Sequence, residues 1–448
     1  MKGCFILQRR FAVLGHEMVR LLMERHGLTQ ACAYVQTRES YLYLKNQNDV
    51  AYSALLLDED VHATYKNENV DIGYLETIER EYGIPTLWQY LNADRVIRSG
   101  QLVREYPHDT CPYTHEEMLA IIQVYAKNII AFLDKEKPDF VFGPQVAGVG
   151  TLLLSHIAQK RGIKTLFVMN SGLEMITCVS ERYNCLTGAN EIFERDAKLP
   201  LESVPRYADA RALVQSFRAK PTTYSRANDN PLYRSLHRSD QLRFLLPSQF
   251  LRSISWYVKM VWVWMATPGL KHDYTTVHPW WYVWDRLKRK VRVARGFDDL
   301  YGVFNKEKPY AFLALHFLPE LALLVHAPFA QNEVENARNL AQSLRVGMKL
   351  YVKEHPAMVG YRTRAFYRAL LQIPNIVLLP PQIRATDIIR NASLVATITG
   401  MVGLEASLFG KPVITMGNVL FNRFSNVRRI HAQDDLPSVV KELLTTPT

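Results

Sequence analysis

Met348-Lys349-Leu350-Tyr351-Val352-Lys353-Glu354-His355-Pro356 is an apolar run that gives way, within one residue, to two charges, an imidazole and a proline. Met348–Val352 reads as a buried strand, and proline both ends it and stiffens the turn that follows. In open α/β sheets, ligands bind beyond the carboxyl ends of the strands, which is where Lys353-Glu354-His355-Pro356 falls. The imidazole and the ammonium can both reach an anionic phosphate. The plainer alternative is a surface turn whose histidine caps a carbonyl.

Working outward, the alternation of strand and helix is regular from Tyr310 onward. Strands are expected at Tyr310–Leu315, Ile376–Leu379, Leu394–Thr397 and Val413–Met416. Helices are expected at Asn332–Leu344, Arg364–Leu371, Thr386–Asn391, Leu404–Phe409 and Leu436–Leu444. The first half repeats the pattern. Gly3–Leu7, Ala31–Val35, Phe140–Phe142 and Thr165–Val168 read as strands, and Phe11–Arg25, His115–Lys135 and Gly148–Arg161 as helices. Such alternation implies parallel, doubly wound sheets. Two such halves suggest two Rossmann-like domains facing a cleft, at 1–215 and 301–448, joined by a connecting segment at 216–300. At 448 residues the chain is long enough for two large domains.

A second stretch, Thr397-Ile398-Thr399-Gly400-Met401-Val402-Gly403-Leu404-Glu405-Ala406, follows a strand and opens a helix. Glycines let backbone approach a ligand, and the free N–H groups of a helix start attract phosphate. Thr397 and Thr399 add hydroxyls. Glu405 either complements the helix dipole in the first turn or accepts from ribose hydroxyls. Neither a Gly-Lys-Ser/Thr phosphate loop nor a dehydrogenase Gly-x-Gly-x-x-Gly is present.

Composition narrows the classes. Hydrophobic residues at 48% and charged residues at 22% describe a globular protein and exclude disorder. The net charge of +11 favours an anionic partner without choosing among nucleotide, acidic membrane and nucleic acid. Five scattered cysteines without a Cys-x-x-Cys read as reduced thiols of a cytosolic compartment. The apolar run Cys4–Leu7 is too short for an export signal, and the most apolar later window, Ile254–Ala266, is interrupted by Lys259. A cytoplasmic location follows as the expectation.

Taken together, Lys-Glu-His-Pro, the Thr-x-Thr-Gly-x-x-Gly-x-Glu-Ala stretch and Gly410-Lys411-Pro412-Val413 resemble the C-terminal half of bacterial capsular polysaccharide biosynthesis proteins. Leu315-His316-Phe317-Leu318-Pro319-Glu320 looks like the His-Phe-Gln-Pro-Glu signature of one branch, with Leu318 in place of Gln. Met401-Val402 likewise replaces the more usual Thr-Ala. Ile78-Glu79-Arg80-Glu81-Tyr82-Gly83-Ile84-Pro85 and Asp94-Arg95 look like N-terminal patches of that branch. The resemblance implies an α/β, GT-B-like fold and a Kdo-transferase-like glycosyltransferase. It implies that Lys353, His355, Pro356, Thr397, Thr399, Gly400, Gly403 and Glu405 bind the nucleotide sugar. His-Pro motifs in transferases that use cytidine nucleotides favour a CMP-sugar, Kdo- or sialic-acid-like. No metal or other cofactor is expected; Asp58-Glu59-Asp60 and Asp298-Asp299 read as solvated acidic loops.

For the acid or base, His316 and Glu320 stand at the end of the second half's first strand, and Glu17, His16 and Glu174 are weaker candidates. Six of the chain's seven tryptophans lie between Trp256 and Trp284, beside the basic run Arg286–Arg292. That composition suits an anionic membrane interface, an aromatic core between domains, or stacking on bases or sugars. No nucleic-acid module accompanies it. The expected activity is transfer of a sugar from a nucleotide donor to a lipid-linked or polysaccharide acceptor at the inner face of the cytoplasmic membrane, beside other capsule-assembly proteins. A nucleotide-sugar epimerase and a non-enzymatic capsule assembly or export factor are the alternatives.

Overall fold

The computed structural model describes residues 1–99, 111–171, 177–221, 246–267, 274, 278–318 and 321–445. It divides into two units. The first comprises Met1–Ser171, Ile176–Thr187 and Trp264–His278; the second comprises Gly188–Val263 and Pro279–Thr448, with Gly172–Met175. The expected boundary at residue 215 falls within a helix, Tyr207–Ala219.

In the first unit, strands β1 (Lys2–Leu7), β2 (Gln30–Val35), β3 (Tyr52–Leu57), β4 (Phe140–Gly143), β5 (Lys164–Asn170) and β6 (Thr177–Ser180) form one sheet. Its order is β3-β2-β1-β4-β5-β6, parallel except for β6, which runs antiparallel to β5. This is the doubly wound order whose direction of winding reverses between β1 and β4. β1 is buried along five of its six residues because helices cover both faces. Helix α1 (Phe11–Arg25) lies close on β1: a Cβ on Gly15 would stand 2.4 Å from a Leu7 methyl. Helix α2 (His115–Glu136) begins at a reciprocal capping box between Thr114 and Glu117, and α3 (Val149–Lys160) follows β4.

The middle of the chain contributes α4 (Pro247–Ala266) and α5 (Pro279–Arg295). The second sheet contains β7 (Tyr310–Ala314), β8 (Lys349–Lys353), β9 (Ile376–Leu379), β10 (Leu394–Thr397), β11 (Val413–Thr415) and β12 (Val427–Arg429). Its order, β12-β11-β10-β7-β8-β9, repeats the doubly wound topology with every pairing parallel. Both halves are thus Rossmann-like. Leu313 pairs with Val352 on one side and Ala396 on the other, so β7, β8 and β10 end together at the reversal of winding. Helices α6 (Glu333–Gln342), α7 (Arg364–Leu371), α8 (Met401–Leu408) and α9 (Leu436–Thr445) belong to the same unit. One core layer packs Ala337, Leu340 and Leu370 beneath Leu350, Val352 and Leu378; the other packs Ile388 and Leu404 beneath Phe312 and Val395.

Candidate functional site

The reversal between β7 and β10 brings together residues far apart in sequence. His316, two residues beyond β7, is 6% exposed, and its Nε2 accepts the Thr399 backbone N–H at 3.2 Å. The Thr397 hydroxyl lies 3.5 Å from the same nitrogen and accepts the Gly400 N–H at 2.9 Å. A Cβ on Gly400 would meet the Thr397 hydroxyl at 2.7 Å and His316 Nε2 at 3.3 Å, so this close approach needs glycine. His316 therefore organises the Thr397–Gly400 turn, and the first N–H groups of α8 open beside it, where an anion is stabilised. Glu320, its expected catalytic partner, and Glu174 lie outside the described residues.

Beneath the turn is a buried ionic network whose pairings carry no signal in the local sequence. Arg362 donates to Glu354 Oε1 at 2.5 Å, to a Glu333 carboxylate oxygen, and to the His316 carbonyl at 2.8 Å. Glu333 Oε1 accepts the His316 N–H at 2.6 Å and stands 3.6 Å from His316 Nδ1. Glu354 also accepts the His355 N–H and the Tyr367 hydroxyl, each at 2.6 Å. Burial works against the Glu333 charge, yet Arg362 and His316 hold its carboxyl below the usual range. Burial pushes Glu354 up, against the pull of Arg362 and Tyr367. Burial would also lower Arg362, but the two carboxylates keep its guanidinium firmly charged.

Lys353 and His355 stand at the end of β8. Lys353 is buried, and burial lowers its ammonium to about 8; its Nζ lies 3.5 Å from the Glu354 carbonyl. His355 is pushed down to about 4, first by burial and then by the nearby Lys353, His316 and Arg362. Its Nδ1 accepts the Ala357 N–H at 3.2 Å, inside a short turn begun by Pro356. The imidazole is therefore neutral at physiological pH, with Nε2 carrying the proton, and meets a ligand as a hydrogen-bond donor rather than as a cation. Its ring stands 5.8 Å from the Phe317 ring, which ties the two motifs together.

Helix α8 starts at Met401, three residues earlier than expected, so Glu405 is buried in its second turn rather than its first. Gly403 lies inside this helix. A Cβ there would stand 2.8 Å from both the Phe421 ring and the Thr397 methyl, so neighbouring side chains fill the space beside it.

In the first unit, Glu17 is exposed and pairs with Arg20 at 3.0 Å. Its neighbour His16 is buried between the Tyr52 hydroxyl at 3.1 Å and Asp49 at 3.0 Å. His16, Glu17 and Asp49 bring candidate ligand atoms within 4.8 Å of one another, with both carboxylates exposed. The Asp58-Glu59-Asp60 cluster is not a solvated loop: Asp58 and Glu59 are buried at the end of β3, and only Asp60 is exposed. Asp58 accepts from the Tyr274 hydroxyl at 2.5 Å. Burial raises its carboxyl to about 7, against the opposing pull of the nearby Tyr125, Tyr274 and Tyr34 hydroxyls. The Tyr34 hydroxyl fits only because residue 150 is glycine, where a Cβ would lie 1.7 Å from that oxygen. Asp299, by contrast, is exposed and pairs with Arg364.

No curated protein matches the chain. Solved structures similar to it include a UDP-GlcNAc 2-epimerase from Neisseria meningitidis bound to UDP-GlcNAc, at 12% identity and TM-score 0.27, covering 99% of this chain and 91% of that one. A β-Kdo 2,7-transferase from Thermosulfurimonas dismutans is 11% identical at TM-score 0.37, over 70% of this chain and 80% of that one. The UDP-GlcNAc 2-epimerase of Methanocaldococcus jannaschii, in complex with UDP-GlcNAc and UDP, is 13% identical at TM-score 0.30, over 100% and 94%. These likenesses are too distant to bear on activity. A family model does match: residues 272–425, which include β7, β8, β10 and the His316, His355 and Thr397–Gly400 motifs, fit that of capsule polysaccharide biosynthesis proteins. Over that region, about a third of its length, the chain is similar to the capsule polysaccharide biosynthesis protein family.

Proposed function

We propose that the protein is a glycosyltransferase that moves a Kdo- or sialic-acid-like sugar from a CMP donor to a capsule or other surface-polysaccharide acceptor. The observation that carries the reading is the meeting of His316, the Thr397–Gly400 turn and His355 beyond β7, β10 and β8, where doubly wound sheets bind nucleotides. The similarity to a β-Kdo transferase's fold accords with it without adding weight. Charge supports the cytidine donor. Arg362 is matched by two carboxylates, which among the described residues leaves Lys353 as the buried cation at the end of β8. One cation suits the single negative charge of a CMP-sugar phosphodiester better than a diphosphate.

In this reading the N–H groups at the start of α8 and the His355 Nε2–H donate to the phosphate, whose charge grows as the glycosidic bond breaks. Donors aimed at developing charge lower the barrier, and losing one costs about 10²–10³ in turnover. Lys353 supplies the counter-charge. The acceptor is a lipid-linked or growing glycan at the cytoplasmic face of the membrane, and the chemistry is assigned no metal.

Thermal shift of the full chain against CMP, CDP, UDP and GDP tests the donor. A ligand at a hundredfold excess over Kd adds about 2.7 kcal/mol, or about 5–10 °C at this size. CMP or CDP is expected to give the largest shift, reduced in His355→Ala. A preference for UDP or GDP without a cytidine response overturns the donor assignment. Interconversion of a free nucleotide sugar would identify an epimerase instead, and no nucleotide response at all an assembly factor.

A further inference from the structure

Helices α4 and α5 leave unusually apolar surfaces uncovered. None of the residues of α4 is buried over its 20 positions, although its sequence is dominated by Phe, Leu, Ile, Val, Met and Trp. Trp262 is 71% exposed, Leu251 65%, Met265 63%, Val258 60% and Phe250 56%. On α5, Trp280 is 50% exposed and Trp284 49%. A helix that is hydrophobic around most of its circumference is ordinarily covered. Scattered exposed leucines need no explanation, but a contiguous patch of this kind marks an interaction surface.

The two helices form one surface. The Trp256 and Tyr282 rings pack at 4.8 Å, and Arg286 caps the pair, 5.4 Å from the Trp256 centroid and 4.2 Å from that of Tyr282. α5 is held to the second unit by its other edge. Asp285 and Val293 are buried there, Arg289 donates to the Tyr361 hydroxyl at 3.0 Å, and Arg292 donates to the Tyr361 carbonyl. Gly360 permits this approach, since a Cβ there would stand 2.6 Å from a Val293 methyl. Anchored along one edge, the hairpin leaves Trp256, Trp262, Trp280, Trp281 and Trp284 exposed.

The charge on this surface identifies what covers it. α4 and α5 carry eight Lys and Arg against one acid, Asp285, and so hold a net +7 of the chain's +11. A second copy would place like charge against like charge. Nor is α4 a membrane span: among the described residues no helix is long and apolar enough to cross a bilayer. Tryptophans with an interleaved row of Lys and Arg match the headgroup region of an anionic bilayer, where indole rings partition and each cation gains from the surface potential. We propose that the α4–α5 hairpin is a docking surface for anionic lipid, lying in the plane of the interface. The hairpin grips Tyr361, next to Arg362 of the candidate site, so docking would hold that site at the surface of the membrane.

The test uses the full chain and vesicles of phosphatidylcholine with or without phosphatidylglycerol. Six of the seven tryptophans lie on or beside the hairpin, so quenching of intrinsic fluorescence by lipids brominated on the acyl chains reads this surface almost alone. Sedimentation and quenching are expected with phosphatidylglycerol, absent without it, and weakened by salt. Arg252, Lys259 and Lys288 changed together to Gln should lower partitioning about a hundredfold, at about fivefold per charge. Trp262→Ser with Trp280→Ser, which removes no charge, should abolish most quenching while melting unchanged; it keeps the proposal testable if the charge variant misfolds. Failure to sediment with anionic vesicles overturns the proposal. So does binding that ignores salt and both variants, or a dimer in light scattering that the tryptophan variant dissolves.

Discussion

Arg362→Met removes the cation that Glu333, Glu354 and the His316 carbonyl share in a fully buried setting. Methionine keeps much of the volume, so the expected loss is electrostatic. Removing one partner of a buried ion pair costs about 3–5 kcal/mol, and with two carboxylates stranded the upper end applies. For a unit of this size that lowers Tm by about 6–20 °C. Neutralising the stranded groups should reverse much of it: Glu333→Gln with Glu354→Gln in the Arg362→Met background should recover most of the loss. A pH series separates charge from packing. Without Arg362, both carboxyls titrate above their unfolded range, near 4.3, so each contributes stability below that pH and loses it as pH rises through the raised value. The deficit should therefore be largest near neutrality and shrink toward pH 5. Thermal melts of the three proteins at several pH values provide the assay. A loss below about 1 kcal/mol, or one that is the same at every pH, would refute the electrostatic account.

His355, lowered to about 4, should show a neutral Nε2–H ring in nitrogen NMR across pH 5–8. Its contribution to stability is present above its unfolded value of about 6.5 and lost as pH falls toward 4. An imidazolium signal at pH 6 would contradict the burial argument. Asp58, raised to about 7, works in the opposite sense: its contribution is present below about 3.9 and lost as pH rises to 7. Asp58→Asn should therefore steepen the rise of stability between pH 4 and 7, read from melts of both proteins. Gly403→Ala forces a methyl against Phe421 and Thr397 and should cost about 1–3 kcal/mol in a denaturant melt, with a neutral result excluding tight packing there.

The alternation of strand and helix was legible because most strands here are buried on both faces. Leu394–Thr397 and Ile376–Leu379 are continuous apolar runs whose ends coincide with the expected ones. β3 was missed because Tyr52–Leu57 is a half-exposed edge strand rich in Ala and Leu, residues that also suit a helix. The starting point of α8 was missed because Gly403 reads as loop in sequence, whereas its role is to let the helix lie against Thr397 and Phe421. α4 has the reverse difficulty: apolar almost all round, it has too little contrast between faces to be read as a surface helix.

The site was half legible for a related reason. His316, His355 and the Thr397–Gly400 turn follow strands, and strand ends can be read locally. The groups that hold them cannot. Glu333 looks like an ordinary first-turn acid of α6, and Arg362 one of several arginines in an exposed-looking stretch. Their pairing spans 29 residues and exists only because β7 and β8 lie side by side. Asp58 looks solvent-facing in sequence for the same reason, since the tyrosines that enclose it come from β2, α2 and the distant residue 274. A buried charge needs partners from several elements at once. Local sequence can therefore indicate which polar groups stand at the strand ends, while the polar frame behind them emerges only when the sheet order is known.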